Sequence, residues 1–380
     1  MNAAQLLALC ALLLCSHSAR SAAEAVAPVV VNTWWPGASA PTYALLQQNY
    51  SALDAAMAGC VAAEESFAFG DHTVGPDGSA DTNGETTLDA LICDGATQDV
   101  GAVAYLRRIP SAIRAARAVM RYTRHSLLAG DGASALATAF GGQAQQNLTY
   151  NDSAADTAAW RAGGCQPNYY APDWALGSNV SCPPYSARPE PAPTPLPPAL
   201  RHSSGWRGVA RARAAAAPHR RQGWATPLDH DTLGLCALDV SGSLVAAVTS
   251  NGAKHKVAGR VGDAPVIGAG GYASNDDGGG CAAVTGDGDI TQRFLPSFVA
   301  VENMRRGMAP LAACEDAVQR IMRHVSDFAI GIVCLNARGD FAAASHGWSF
   351  KYCAQGGAAG AAQPNCTVVV PLGERGVSEA

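Results

Sequence analysis

The apolar positions of this chain fall into short dense runs separated by glycine-rich polar stretches. Val29–Asn32, directly after Pro28, and Leu88–Cys93 are nearly unbroken apolar segments of strand length. From Ser51 onward the small apolar residues take helical spacing, with Ser51 placed as an N-cap. Ile113, Ala116, Val119 and Met120 line one helical face within Ser111–Tyr122. The Gly/Asp-rich stretch 75–84 predicts a loop, and Asp94–Gly95 a turn.

The pattern then breaks. From about Pro183 to Leu228 the chain is a proline-rich tract followed by arginines interleaved with alanines. Such a segment buries too little apolar surface to offset its ordering entropy, so it predicts an exposed, protease-sensitive connector. Its arginines lack the aromatic stripe of a nucleic-acid or membrane arm. Beyond it, Thr232–Val240 and Leu244–Ser250 read as two strands of a hairpin turning at Ser241–Ser243. A helix is expected within Asp287–Arg305 and another over Ala309–His324, with Pro310 in its first turn. Ile330–Leu335 and Phe341–Ala344 look like a closing hairpin. Strands and helices in both halves predict an α/β or α+β sandwich.

At 380 residues and 48% apolar content the chain can bury a sizeable core. A net charge of −5 gives no surface for nucleic acid. Lysine occurs only at Lys254, Lys256 and Lys351. The apolar run Leu6–Cys15 and the small residues after it predict a signal peptide over about residues 1–25. No other run reaches the length of a membrane span, so the mature protein is expected to be soluble in the secretory pathway. Cysteine usage fits that compartment, with Cys165/Cys182, Cys314/Cys334 and Cys353/Cys366 as candidate disulfides and the remaining connectivity open. Neither CxxC nor HExxH occurs, so no metal or other cofactor is expected. Asn49, Asn147, Asn151, Asn179 and Asn365 head glycosylation sequons.

The chemistry concentrates at Asp231–Thr232. A threonine hydroxyl needs a base to become a nucleophile. If the peptide bond before Thr232 is cut, the new α-amine, with an ordinary pKa near 8, lies beside Thr232's own hydroxyl and can accept its proton. Uncut, the amide nitrogen is not basic and the chain is inactive. Ser250–Gly252 lies at the far end of the partner strand, either an ordinary turn or a hydroxyl beside Thr232. Arg260 and Asp263 offer a fork for a carboxylate and an acceptor for an ammonium, complementary to the two ends of a free amino acid; they also read as an ion pair within one loop. Thr285 and Gly286, at a helix start, can supply a hydroxyl and an N–H to an oxyanion. A calcium loop at Thr285–Asp289 fails the twelve-residue pattern, because Gln292 stands where its glycine belongs.

Together with Val31–Trp34, Ser51–Ala55, Gly84–Ala90, Asp99–Val103, Leu106–Ile109, Cys165–Tyr169 and Arg293–Ser297, these motifs resemble the glycosylasparaginase family of N-terminal-nucleophile hydrolases, in family order across nearly the whole mature chain. The resemblance implies an α+β fold, a four-layer αββα sandwich. It implies one chain split into an α subunit, 26–231, and a β subunit, 232–380, by attack of Thr232 Oγ on the Asp231 carbonyl, then assembled as an (αβ)2 heterotetramer. Thr232 becomes the nucleophile and Ser250 its assistant. Arg260 and Asp263 hold the substrate's carboxylate and ammonium, Thr285 and Gly286 form the oxyanion hole, and Trp34 lines the pocket. The implied substrate is a small glycoasparagine, and the implied destination a lysosome, a vacuole or secretion. Ser250 departs from the family's usual threonine. Plant-type asparaginases and isoaspartyl peptidases share Gly259–Asp263 and are the runner-up; an uncleaved, non-catalytic secretory glycoprotein is the third reading.

Overall fold

The computed structural model describes residues 26–66, 74–170, 182 and 230–373, so the expected leader and the connector lie outside the described residues. The chain forms a mixed α/β fold. Its first half runs β1 (Val29–Asn32), α1 (Pro36–Gln47), α2 (Ala52–Glu64), β2 (Thr87–Asp94), β3 (Val100–Arg107), α3 (Ala112–Tyr122), β4 (Leu127–Ala129), α4 (Gly130–Phe140) and α5 (Asn151–Ala162). The second half runs β5 (His230–Leu238), β6 (Leu244–Ala253), β7 (Gly271–Ser274), β8 (Gly280–Gly286), α6 (Gly288–Thr291), α7 (Pro296–Arg305), α8 (Pro310–Met322), β9 (Ile330–Asn336), β10 (Phe341–His346), β11 (Phe350–Gly356) and β12 (Asn365–Val369). Among the described residues no helix is long and apolar enough to cross a membrane.

The unbroken apolar runs are explained by burial on both faces. In β6, Val245 and Ala247 point into one apolar cluster with Leu46, Ala55, Ile92 and Ile113, beneath the first three helices. Leu244, Ala246 and Val248 point the other way, into a second cluster with Val31, Leu91, Ala283 and Val333. A third joins Ile330 and Ile332 of β9 to Val299, Val318 and Ile321 of α7 and α8. The strands make an eight-stranded sheet, β12-β11-β1-β5-β6-β2-β3-β4, and a four-stranded one, β10-β9-β8-β7. Gly234 lets the sheets close at the start of β5: a Cβ there would lie 2.9 Å from Ala283 Cβ and 3.2 Å from the Val284 carbonyl.

Several elements differ from their sequence expectation. The β9–β10 hairpin does not close the fold, because β11 crosses to the large sheet and pairs with β1, and β12 extends it. The helix expected within Asp287–Arg305 is two, since Leu295 takes φ 51° and Pro296 starts afresh. The Ser241–Ser243 turn is organised by Asp239, whose Oδ1 accepts from Ser241 N, Ser241 Oγ and Ser243 N at 2.6–3.0 Å. All three candidate disulfides are present, and a fourth, Cys236–Cys281, ties β5 to β8 across the sheets. Asn49, Asn147, Asn151 and Asn365 are exposed; Asn179 lies outside the described residues.

Candidate active site

Thr232 sits two residues into β5, nearly fully buried, and its Oγ1 lies 2.8 Å from Ser250 Oγ on β6. The local register brings them together. Thr232 pairs with Ser250 but Asp231 pairs with Gly252, so Asn251 is the extra residue of a β-bulge opposite the Asp231–Thr232 bond. Ser250–Gly252 is therefore strand, not turn, and Gly252 takes φ 76° to accommodate the bulge. Gly252 N donates to Ser250 Oγ at 2.8 Å, so a backbone N–H holds the serine oxygen beside Thr232. Asn251's side chain is occupied elsewhere, exchanging hydrogen bonds with Gly75 N at 2.7 Å and Gly75 O at 2.9 Å.

The ion pair read within the Arg260–Asp263 loop is not the one that forms. Arg260 turns its Nε and Nη2 edge to Asp289, with Nη2–Oδ2 at 3.0 Å. Its Nη1 faces glycine backbone, 2.8 Å from where a Cβ on Gly252 would stand and 2.6 Å from one on Gly262. Asp263 accepts instead from Thr291 Oγ1 at 2.6 Å. Burial pushes the Asp263 carboxyl up to about 6, against the pull of the Thr291 hydrogen bond and the Arg260 charge. Asp287 is the N-cap of α6, accepting from Ile290 N, so both acids of the rejected calcium loop have protein partners.

Thr232, Ser250, Gly252, Ala253, Asp89, Arg260, Gly262, Asp263, Gly286 and Gly288 line one cleft. It leaves about 10 Å3, no more than the room of one water molecule. Gly286 reaches the cleft at the end of β8; Thr285, one residue earlier, is buried and outside that lining, and the half-buried Trp34 is outside it too. Trp34 nevertheless meets the nucleophile's residue, its Nε1 donating to the Thr232 carbonyl at 3.0 Å. Asn32 sets the loop that presents it, Oδ1 accepting from Trp34 N and Trp35 N. A larger cavity of about 270 Å3, lined by Asp156, Trp160, Tyr169, Lys254 and His255 among others, contains none of the sequence-assigned residues.

Four residues at the site escaped the sequence reading as functional groups. Asp289 and Thr291 orient Arg260 and Asp263. Asp89, in register with Ser250, accepts from Tyr105 N at 2.7 Å at a second bulge, between β2 and β3. Its burial raises its pKa while the charge of Lys256 draws it back. Lys256 is 1% exposed and donates to the Asn251 carbonyl. The available signals were an acid within an apolar strand run and one of few lysines, close behind Ser250.

A sequence profile of the family described as asparaginase matches residues 36–359. The chain is 40% identical to the N(4)-(beta-N-acetylglucosaminyl)-L-asparaginase of Rattus norvegicus, over 83% of this chain and 84% of that protein. It is 42% identical to a putative N(4)-(beta-N-acetylglucosaminyl)-L-asparaginase of Drosophila melanogaster, over 84% of this chain and 76% of the relative. A probable isoaspartyl peptidase/L-asparaginase of Arabidopsis thaliana is 39% identical, over 86% and 87%. With matched sequence on both sides of the Thr232–Ser250 pair and nearly all of the described fold inside the match, the chain belongs to the asparaginase family.

Proposed function

We propose that this protein is an N(4)-(beta-N-acetylglucosaminyl)-L-asparaginase that activates itself by cutting its chain before Thr232. The observation that carries the reading is the Thr232 Oγ1–Ser250 Oγ contact, directly opposite a bulge and at one wall of a cleft that also holds Arg260 and Asp263. In self-cleavage Thr232 Oγ attacks the Asp231 carbonyl; the O–C bond forms, the C–N bond breaks, and the nitrogen takes the hydroxyl proton. Water then hydrolyses the ester. The cut also frees residues 230–231 from their rungs opposite Ala253 and Gly252, so that edge of the closed cleft can open.

In the cleaved enzyme the α-amine takes the Thr232 hydroxyl proton, and Oγ attacks the substrate's side-chain amide. Thr285 Oγ1 and Gly286 N–H hold the oxyanion. Collapse releases the glycosylamine, which takes the proton, and leaves an aspartyl ester on Thr232. Water, activated by the same amine, frees aspartate. Ser250 stabilises the nucleophile's oxygen; Arg260 and Asp263 select a substrate with both ends of an amino acid free, and Trp34 lines the entrance. The three apolar layers support the αββα sandwich of N-terminal-nucleophile hydrolases. The division at 231/232 implies α and β subunits preceded by a cleaved leader. An (αβ)2 assembly, glycosylation of the exposed sequons and a lysosomal or vacuolar destination complete the proposal.

The plant relative keeps the isoaspartyl peptidase as a second reading. N-acetylglucosaminyl-asparagine and a β-aspartyl-leucine dipeptide, offered to the purified protein, separate the two: the glycoasparagine is expected to have the higher kcat/KM, and a preference for the dipeptide reverses the assignment. In Thr232→Ala both splitting and hydrolysis are expected to vanish. Persistence of either refutes the role of Thr232.

A further inference from the structure

Lys256 is among the largest fully buried side chains of the described residues, and its position is costly. Removing an ammonium from water is strongly unfavourable unless its donors and charge find partners, and a Met of similar size would fill the space without that cost. Two carbonyls on the nucleophile's side of the protein meet its ammonium. Its Nζ donates to the Asn251 carbonyl and lies 3.4 Å from the Ser79 carbonyl. Its charge acts on Asp89, which lines the cleft. Asn251 is the bulged residue with no rung opposite it, so this carbonyl has lost its place in the ladder and Lys256 takes it up. The same peptide unit continues to Gly252 N, which donates to Ser250 Oγ at 2.8 Å, and Ser250 Oγ lies 2.8 Å from Thr232 Oγ1.

We propose that Lys256 is a positioning residue for the nucleophile: by clamping the Asn251 carbonyl it fixes and polarises the Asn251–Gly252 peptide, whose N–H holds Ser250 Oγ in place against Thr232 Oγ1. Each hydrogen bond in the series strengthens the next, because a charged donor on a carbonyl makes that peptide's N–H a better donor. The series stabilises negative charge on Thr232 Oγ as its proton leaves, in self-cleavage and in hydrolysis alike. The inference rests on Thr232 being the nucleophile.

The test is a double-mutant cycle on the full-length protein with N-acetylglucosaminyl-asparagine, using Lys256→Met, Ser250→Ala and the pair. Lys256→Met is expected to lower kcat of the split enzyme about tenfold with KM within about twofold. In the Ser250→Ala background the same change should lower kcat by less than about twofold, since its route to Thr232 is already cut. Lys256→Arg, which keeps a cation, should recover part of the loss. Where Ser250→Ala leaves too little split enzyme, the cycle is read on the rate of splitting. If Lys256→Met does not fold, Lys256→Gln takes its place in the cycle. Equal factors in the two backgrounds, or kcat within twofold of the parent, overturn the proposal. Neither result touches the nucleophile assignment, which falls only if Thr232→Ala retains splitting or hydrolysis.

Discussion

Arg260 shows how much a single residue's role depends on what already holds it. Asp289 takes its Nε and Nη2 edge, and the glycine backbone at 252 and 262 leaves Nη1 facing the cleft. A lysine is a point charge and cannot hold Asp289 and a substrate carboxylate at once in fixed directions. Arg260→Lys is therefore expected to raise KM about tenfold or more with a smaller change in kcat, in steady-state kinetics on N-acetylglucosaminyl-asparagine. An unchanged KM removes Arg260 from substrate binding. Arg260, Asp263, Thr232 and Ser250 stood out in the sequence because each carries distinctive chemistry, and all four line one cleft. Asp289 and Lys256 did not, because their partners are made by folding: a guanidinium turned away from Asp263, and a carbonyl released from a ladder by a bulge.

At the scale of elements, strands covered on both faces were readable as apolar runs, whereas α1 was hidden by Pro36 and Pro41 inside its span. The bulges could not be read, since a register shift leaves no mark on composition. The element that supports β6 from behind is α2. Its last residue, Glu64, is fully buried and accepts from Thr249 Oγ1 and Ser111 Oγ at 2.5 Å and from Ile113 N at 2.9 Å, joining the helix layer to the residue before Ser250. Burial outweighs these hydrogen bonds and raises the Glu64 carboxyl to about 7. Between the ordinary carboxylate range and about 7 the native chain keeps a proton that the unfolded chain has lost, so unfolding releases it and stability falls as pH rises. Below that window both states are protonated and above it both are ionised, so the contribution levels off. Its size is about 3 kcal/mol as an order of magnitude. In a Thr232→Ala background, which keeps the chain whole, denaturant unfolding at pH 5 and pH 8 should show Glu64→Gln gaining stability relative to its parent as pH rises. A difference that does not change with pH would exclude an ionising Glu64.

For the whole molecule the decisive fact is how the segments before and after Thr232 interleave. In the large sheet, β12 and β11 come from the second segment, β1 from the first, β5 and β6 from the second, and β2, β3 and β4 from the first. Three seams of backbone hydrogen bonds, β11/β1, β1/β5 and β6/β2, therefore join the two segments. Pulling them apart would expose strand edges and the apolar residues of β1 on both faces, including Val30 in one cluster and Val31 in the other. The disulfides do not share this arrangement. Cys165–Cys182 lies wholly before Thr232, and Cys236–Cys281, Cys314–Cys334 and Cys353–Cys366 lie wholly after it, while Cys60 and Cys93 are free and buried. Cys236–Cys281 was invisible in the sequence because stacking of the two sheets, not spacing along the chain, creates it. Among the described residues no disulfide joins the two segments, so after the proposed cut they are held by the sheet, the core and hydrogen bonds such as those of Trp34 to Thr232 and Glu64 to Thr249. The cleaved protein is expected to elute as one species by size-exclusion chromatography under native conditions. On a denaturing gel run without reductant it should separate into two fragments, the second beginning at Thr232. Fragments that stay joined until reductant is added would show a cross-link between segments, and separation on the native column would show that the three seams do not hold them.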